Sequence, residues 1–186
     1  MISWQALAAS KKVTVYESMK QRSEPMDMDK NDFDRHCRFM DAALEQAQKA
    51  GAEGEVPIGA VVTDMNGEIL GNGFNQCIRF SDPTAHAEIL AIREAARHVK
   101  NYRLLNAALY VTNEPCIMCM GAVIHARLAL VVYGAKDPGW GAAGSVYDFA
   151  EDCRLNHTPE IISGVCENRC REIMVNFFAE KRKKQP

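Results

Sequence analysis

Apolar residues recur along this chain with two different periods, and the alternation between them lays out the elements. Phe33, Cys37, Met40, Leu44 and Ala47 follow helical spacing, which predicts a helix from Phe33 to Ala50 with Asp32 as N-cap and Gly51 as stop. The runs "VPIGAVVTD" and "EILGNGFN" then read as two strands joined through Asn66-Gly67, a strong hairpin signal. Residues 82 to 98 predict a second helix, with Ile89, Ile92 and Ala96 on one face. "AALYVT" (107–112) reads as a buried strand, and "PCIMCMGAVIHAR" as a helix with Pro115 in its first turn. "LALVVYGA" (128–135) is a further strand, followed by the glycine-rich surface loop "KDPGWGAAGS". "EIISGV" (160–165) predicts a last strand, and residues 167 to 183 a last helix that runs into Lys181-Arg182-Lys183-Lys184. This order predicts one α/β domain over residues 31–186, a mixed sheet with helices on both faces. Residues 1–30 are polar and patternless and are expected to form a flexible N-terminal extension.

Composition narrows the function classes. The chain has 186 residues, enough to bury a sizeable core in one domain. Its formal net charge of −2 excludes a whole-surface basic field, so any nucleic-acid contact must use a local patch. No apolar run approaches the roughly 20 residues needed to cross a bilayer, and the N-terminus lacks the order of a signal peptide. A soluble, cytoplasmic protein without membrane attachment is the expectation. The seven cysteines are then expected to be thiols or metal ligands rather than a disulfide framework.

Two short stretches carry chemistry. "PTAHAEIL" places His86 and Glu88 two positions apart at a helix start, a pair that alone also suits ordinary polar residues. "EPCIMC" places Cys116 and Cys119 three apart on one helical face, where both sulfurs can reach one ion. Each pair opens a helix that follows a sheet segment, and helix N-termini above one sheet edge can converge on a site. One His and two Cys make three ligands, which leaves a fourth tetrahedral position for water. That is the pattern of a catalytic zinc, and Glu88 is placed to move a proton without being a ligand.

With these residues on the page, the chain resembles the zinc nucleoside deaminases, whose signature is His-x-Glu with Pro-Cys-x-x-Cys, here His86-Ala87-Glu88 and Pro115-Cys116-x-x-Cys119. "VPIGAVV", "GNGFN", "DPTAHAEI", "NYRLLNAALYVTNEPCIMCMGAVIHARL", "VVYGAKD" and "GAAGS" are similar to the bacterial tRNA adenosine deaminase branch, over roughly residues 32 to 183. The resemblance implies a three-layer α/β/α cytidine deaminase-like fold with a mixed five-stranded sheet. It implies a homodimer with one zinc per subunit, and conversion of adenosine to inosine at the wobble position of a tRNA anticodon. By motif position it implies His86, Cys116 and Cys119 as zinc ligands and Glu88 as proton shuttle. It further implies Asn75 on the flipped adenine, Asp137 on a neighbouring ribose, and Phe178 along the nucleotide path with the basic tail on the RNA backbone. The chain departs from the family at Trp140, where small or charged residues are more usual, and at Cys166.

Read as isolated residues, Asn75 and Asp137 are turn formers, and Phe177 and Phe178 are core candidates on the last helix. Two other functions fit the same motif. A small-molecule deaminase acting on guanine, cytidine or deoxycytidylate would share the zinc residues but would not need "GAAGS" or the "FFAEKRKK" tail. A non-catalytic zinc module would need four ligands and no carboxylate beside an open position, and Glu88 argues against it.

Overall fold

The computed structural model describes residues 29–184, so the extension expected over residues 1–30 lies almost wholly outside the described residues. The chain divides into a unit ending at Asp32 and a compact unit from Phe33 onward, which carries the fold. The elements are α1 (Lys30–Ala52), β1 (Gly59–Asp64), β2 (Ile69–Phe74), a short α2 (Cys77–Phe80), α3 (Ala87–His98), β3 (Ala107–Asn113), α4 (Ile117–Ala126), β4 (Leu130–Ala135), β5 (Glu160–Ser163) and α5 (Glu167–Lys184). The five strands form one sheet in the order β2-β1-β3-β4-β5. β1 is antiparallel to both β2 and β3, whereas β3, β4 and β5 are parallel. The expected mixed five-stranded sheet is therefore present.

Helices cover both faces. On one, Ala60, Val62, Leu109, Val111, Val131 and Tyr133 alternate along their strands and pack against Ala87, Ala91, Ile92 and Ala95 of α3 and Met120 and Val123 of α4. On the other, buried Tyr110 meets the ring of Phe39 in α1 at 4.9 Å between centroids. Gly134 of β4 lies so close to α5 that an added Cβ would stand 2.3 Å from Cys170 Sγ. In α1 the buried positions Met40, Ala43, Leu44, Ala47 and Ala50 keep the helical period.

Several boundaries differ from the sequence expectation. Asp32 is not the cap of α1 but lies in its first turn, where a carboxylate suits the helix dipole, and Phe33 is exposed. Gly51 lies within that helix. α3 begins at Ala87 rather than Asp82, because the Asp82 carboxylate accepts from both Thr84 N–H (2.8 Å) and Thr84 Oγ1 (2.7 Å) and closes a turn there. Pro115 precedes the helix instead of entering it, since Cys116 is extended and occupies the cap. In the hairpin only Gly67 takes a positive φ, 94°, so the turn is a longer one closed by Gly67 N–H to Asp64 O (3.2 Å) and Asp64 N–H to Glu68 O (2.9 Å). β5 stops at Ser163, short of the expected 165, with Gly164 at φ 81°.

The approach of α3 to the edge strand fixes where His86 and Glu88 stand. A Cβ at Gly73 would fall 2.2 Å from Ala87 O and 2.6 Å from Ala91 N, both backbone atoms that cannot swing aside. Gly73→Ala is therefore expected to push α3 off β2 and cost about 1–3 kcal/mol, the usual range for overpacking. Urea unfolding that leaves the stability of this variant unchanged would contradict the packing described.

Candidate active site

β1 runs antiparallel to β2 and to β3, so β2 and β3 point the same way, and β4 is parallel to β3. The C-terminal ends of all three strands thus lie along one edge of the sheet, which is where α/β sheets place ligands. α3 and α4 begin there. His86 is the N-cap of α3 (φ −72°, ψ 152°) and Cys116 the N-cap of α4 (φ −74°, ψ 175°). Neither side chain caps its own helix. For α3 that task falls to Asn75, whose Oδ1 accepts from Ala87 N–H at 2.9 Å and ties the chain after β2 to the first helical turn. The His86 imidazole remains available to the site.

His86 Nδ1 stands 3.7 Å from Cys116 Sγ and 3.6 Å from Cys119 Sγ. Among the described residues, this is the group whose ligand atoms gather within 4.8 Å of one another. Tetrahedral zinc bonds of about 2.0–2.1 Å to nitrogen and 2.3 Å to sulfur set N···S edges of about 3.6 Å. The two measured separations match that edge, and two soft sulfurs with an imidazole suit zinc. These residues could therefore hold the ion. The three groups also hydrogen-bond one another. The Cys119 thiol, and then the His86 imidazole, donate toward Cys116 and bring its thiol down to about 4, against the effect of burial. Cys119 is pushed up, first by that same bond and then by burial. These bonds favour the thiolate of Cys116, the form in which a cysteine binds a divalent cation.

Glu88 is buried, and burial raises its carboxyl to about 6. It lines a cavity of about 620 Å³ with His86, Cys116, Asn113, Asp137 and Trp140. A carboxyl raised toward neutrality beside the ligand group can take and return a proton.

Sequence reasoning missed Glu114 and Asn113. The buried Glu114 carboxylate accepts from the backbone N–H groups of Asp137 (3.0 Å), Ala143 (3.1 Å) and Ser145 (3.0 Å) and from Ser145 Oγ. It thereby folds the glycine-rich loop over the site. Gly141 of that loop pairs with Cys116. Asn113 Nδ2 donates to Asp137 Oδ2 at 3.1 Å. The only hint in the sequence was a carboxylate directly after an apolar strand and before Pro-Cys.

The other expected residues are placed as follows. Asp137 lines the cavity, while its Oδ1 accepts from Gly139 N–H (2.9 Å) and Trp140 N–H (3.0 Å), so it is a turn former as well. Asn75 is buried and is not in the cavity wall. Phe178 lies in an adjoining groove of about 350 Å³ with Lys136, Arg171 and Arg182, and this groove shares Asn113 and Asp137 with the cavity. Phe177 turns elsewhere, with Lys181 Nζ 5.2 Å above its ring.

Known proteins resemble this chain in sequence and fold. Residues 34–135 match the cytidine and deoxycytidylate deaminase zinc-binding region. The tRNA-specific adenosine deaminase of Haemophilus influenzae is 47% identical over 156 residues, covering 84% of this chain and 89% of that protein. A solved structure from work on A-to-I editing by tRNA:A34 deaminases at the wobble position of transfer RNA superposes with a TM-score of 0.70 at 42% identity, covering 73% of this chain and 98% of that one. A guanine deaminase from Nitrosomonas europaea, at 22% identity and a TM-score of 0.68 over 76% of this chain and 83% of that one, shares the fold.

The geometry separates ligands from their neighbour. Cys119→Ala is expected to lose most of the bound zinc, and Glu88→Ala to keep it at near one per chain, both by elemental analysis of folded protein. Zinc loss on removing the Glu88 carboxylate would make that residue a ligand and contradict the assignment.

Proposed function

We infer the reaction from the family: the chain belongs to the cytidine and deoxycytidylate deaminases, and within them to the tRNA-specific adenosine deaminases. It hydrolyses adenosine to inosine at the wobble position of a tRNA anticodon. The cofactor is zinc, held by His86, Cys116 and Cys119, one ion per subunit. The chemistry the ion supplies is acidification of water, toward a pKa of about 7.

The chain's own residues do the rest. Glu88 takes a proton from the attacking water and delivers it to N1 of adenine as oxygen adds at C6. It then takes the proton of the new C6 hydroxyl and passes it to the amine; the C6–N6 bond breaks as the C6 carbonyl forms, ammonia leaves, and hypoxanthine remains on the ribose. Desolvation of Glu88 supports this role, since a carboxyl held near 6 both accepts and releases a proton at neutral pH. The family motif assigns Asn75 to the purine; its Oδ1 is engaged by Ala87 and it stands outside the cavity wall, so only its Nδ2 is left for the base, and that contact requires the wall to shift on binding. Asp137, steadied by Asn113, meets the sugar of a neighbouring nucleotide.

The observation that carries an RNA substrate is the groove that continues the cavity. A free base or nucleoside needs only the cavity; Lys136, Arg171, Arg182 and the exposed ring of Phe178 lie beyond it. Cations there can follow phosphates, and an aromatic ring can stack on a base. An anticodon loop presents unpaired bases, so extruding one is less costly than from a duplex. The same reading takes the enzyme to be a cytoplasmic homodimer. The exposed apolar side chains Ile78, Phe80, Tyr102 and Leu105 give a second copy surface to bury, and among the described residues no helix is long and apolar enough to cross a membrane.

An anticodon stem-loop RNA with adenosine at the wobble position is expected to gain inosine, with no ammonia released from free adenosine, guanine or cytidine under the same conditions. Glu88→Ala should lower that rate by about 10²–10⁴-fold, the usual share of general acid–base catalysis. Turnover of a free base or nucleoside with inert RNA would instead make this a small-molecule deaminase.

A further inference from the structure

Trp140 is used by nothing described so far. It is one of two tryptophans in the chain, and it is 71% exposed. A single exposed aromatic is unremarkable by itself. This one stands on a rigid turn in the wall of the catalytic cavity. Its own N–H and that of Gly139 both donate to Asp137 Oδ1, and Gly141 N–H donates to Asp137 O at 3.0 Å. Gly141 then pairs with Cys116. Below it the Glu114 carboxylate packs so closely that a Cβ at Gly141 would fall 2.4 Å from the carboxyl carbon. The indole is thus presented by backbone that has little freedom to move it.

We propose that Trp140 is a stacking platform for a base adjacent to the target adenine, and so a residue that selects a nucleotide within an RNA strand over a free nucleoside. The inference rests on the tRNA reading above. The target base must reach Glu88, which is buried, and His86, which is half-buried. Trp140 lies at the solvent rim of the same cavity, a level that a neighbouring nucleotide would occupy. Pro83 and Ile117 add apolar wall to the cavity. Phe178 serves a different position, because its groove meets the cavity through Asn113 and Asp137 and does not include Trp140. The two rings therefore address different nucleotides. An indole has a large flat face, and base–aromatic stacking tolerates any base, so the platform fixes position more than sequence.

The test uses the full chain with Trp4→Phe, which leaves Trp140 as its one indole. Titration with the anticodon stem-loop is expected to quench its emission to saturation, and removal of the base on one flank of the target should abolish most of the quenching. In steady-state assays of inosine formation, Trp140→Ala should raise KM at least about fivefold with kcat within about twofold, and Trp140→Phe should restore most of the loss. The abasic flank and Trp140→Ala should not add, since each removes the same contact. RNA that is bound and deaminated without quenching, an unchanged KM in Trp140→Ala, or fully multiplicative losses would overturn the inference. Failure of the wild-type chain to form inosine in the stem-loop would overturn the tRNA reading itself, and the inference with it.

Discussion

The site exists because β2, β3 and β4 end along one edge of the sheet, with β1 running the opposite way between the first two. Two helices begin at that edge, and their first residues meet although some 30 positions separate them in the chain. A helix cap is ordinarily occupied by a side chain that bonds its own backbone. Here His86 and Cys116 hold the cap positions without capping, and Asn75 satisfies Ala87 from the neighbouring strand end. Delegating the cap leaves the imidazole free for a cation. The close approach at Gly71 and Gly73, where any Cβ would meet α3 backbone, holds that helix at the height the sulfurs require.

Glu114 plays the corresponding part for the loop. A buried carboxylate is costly unless its oxygens are satisfied, and this one collects three backbone N–H groups and a hydroxyl from residues 137–145. The satisfied charge turns a glycine-rich segment into a fixed wall carrying Asp137 and Trp140. Because Glu114 sits two residues before Cys116, the loop and the candidate sulfur ligands share one foundation, and displacement of either would be felt by the other.

The candidate site residues stood out in the sequence because their spacing is local. His86 with Glu88, and Cys116 with Cys119, are each set by one turn of backbone, and only their meeting needed the sheet. Strands were readable where apolar runs are buried on both faces, as in β3 and β4. Boundaries were not, because they turn on single side-chain bonds: Asp82 closing on Thr84 delays α3 by five residues, and an extended Cys116 excludes Pro115 from α4. Glu114 and Asn113 escaped notice because every partner they have lies some 20 to 30 positions further on. Periodicity could not separate Phe177 from Phe178, adjacent residues on one helix. The fold does, by turning Phe178 to the groove beside Asp137 and leaving Phe177 beneath Lys181.

The central claim is that one imidazole and two sulfurs, presented by two helix starts, hold the zinc and leave a position open. X-ray absorption at the zinc edge of the loaded protein reads that set directly. The account predicts two sulfurs at about 2.3 Å and two lighter nitrogen or oxygen neighbours at about 2.0–2.1 Å. A shell of four sulfurs, or one with no sulfur, would contradict it.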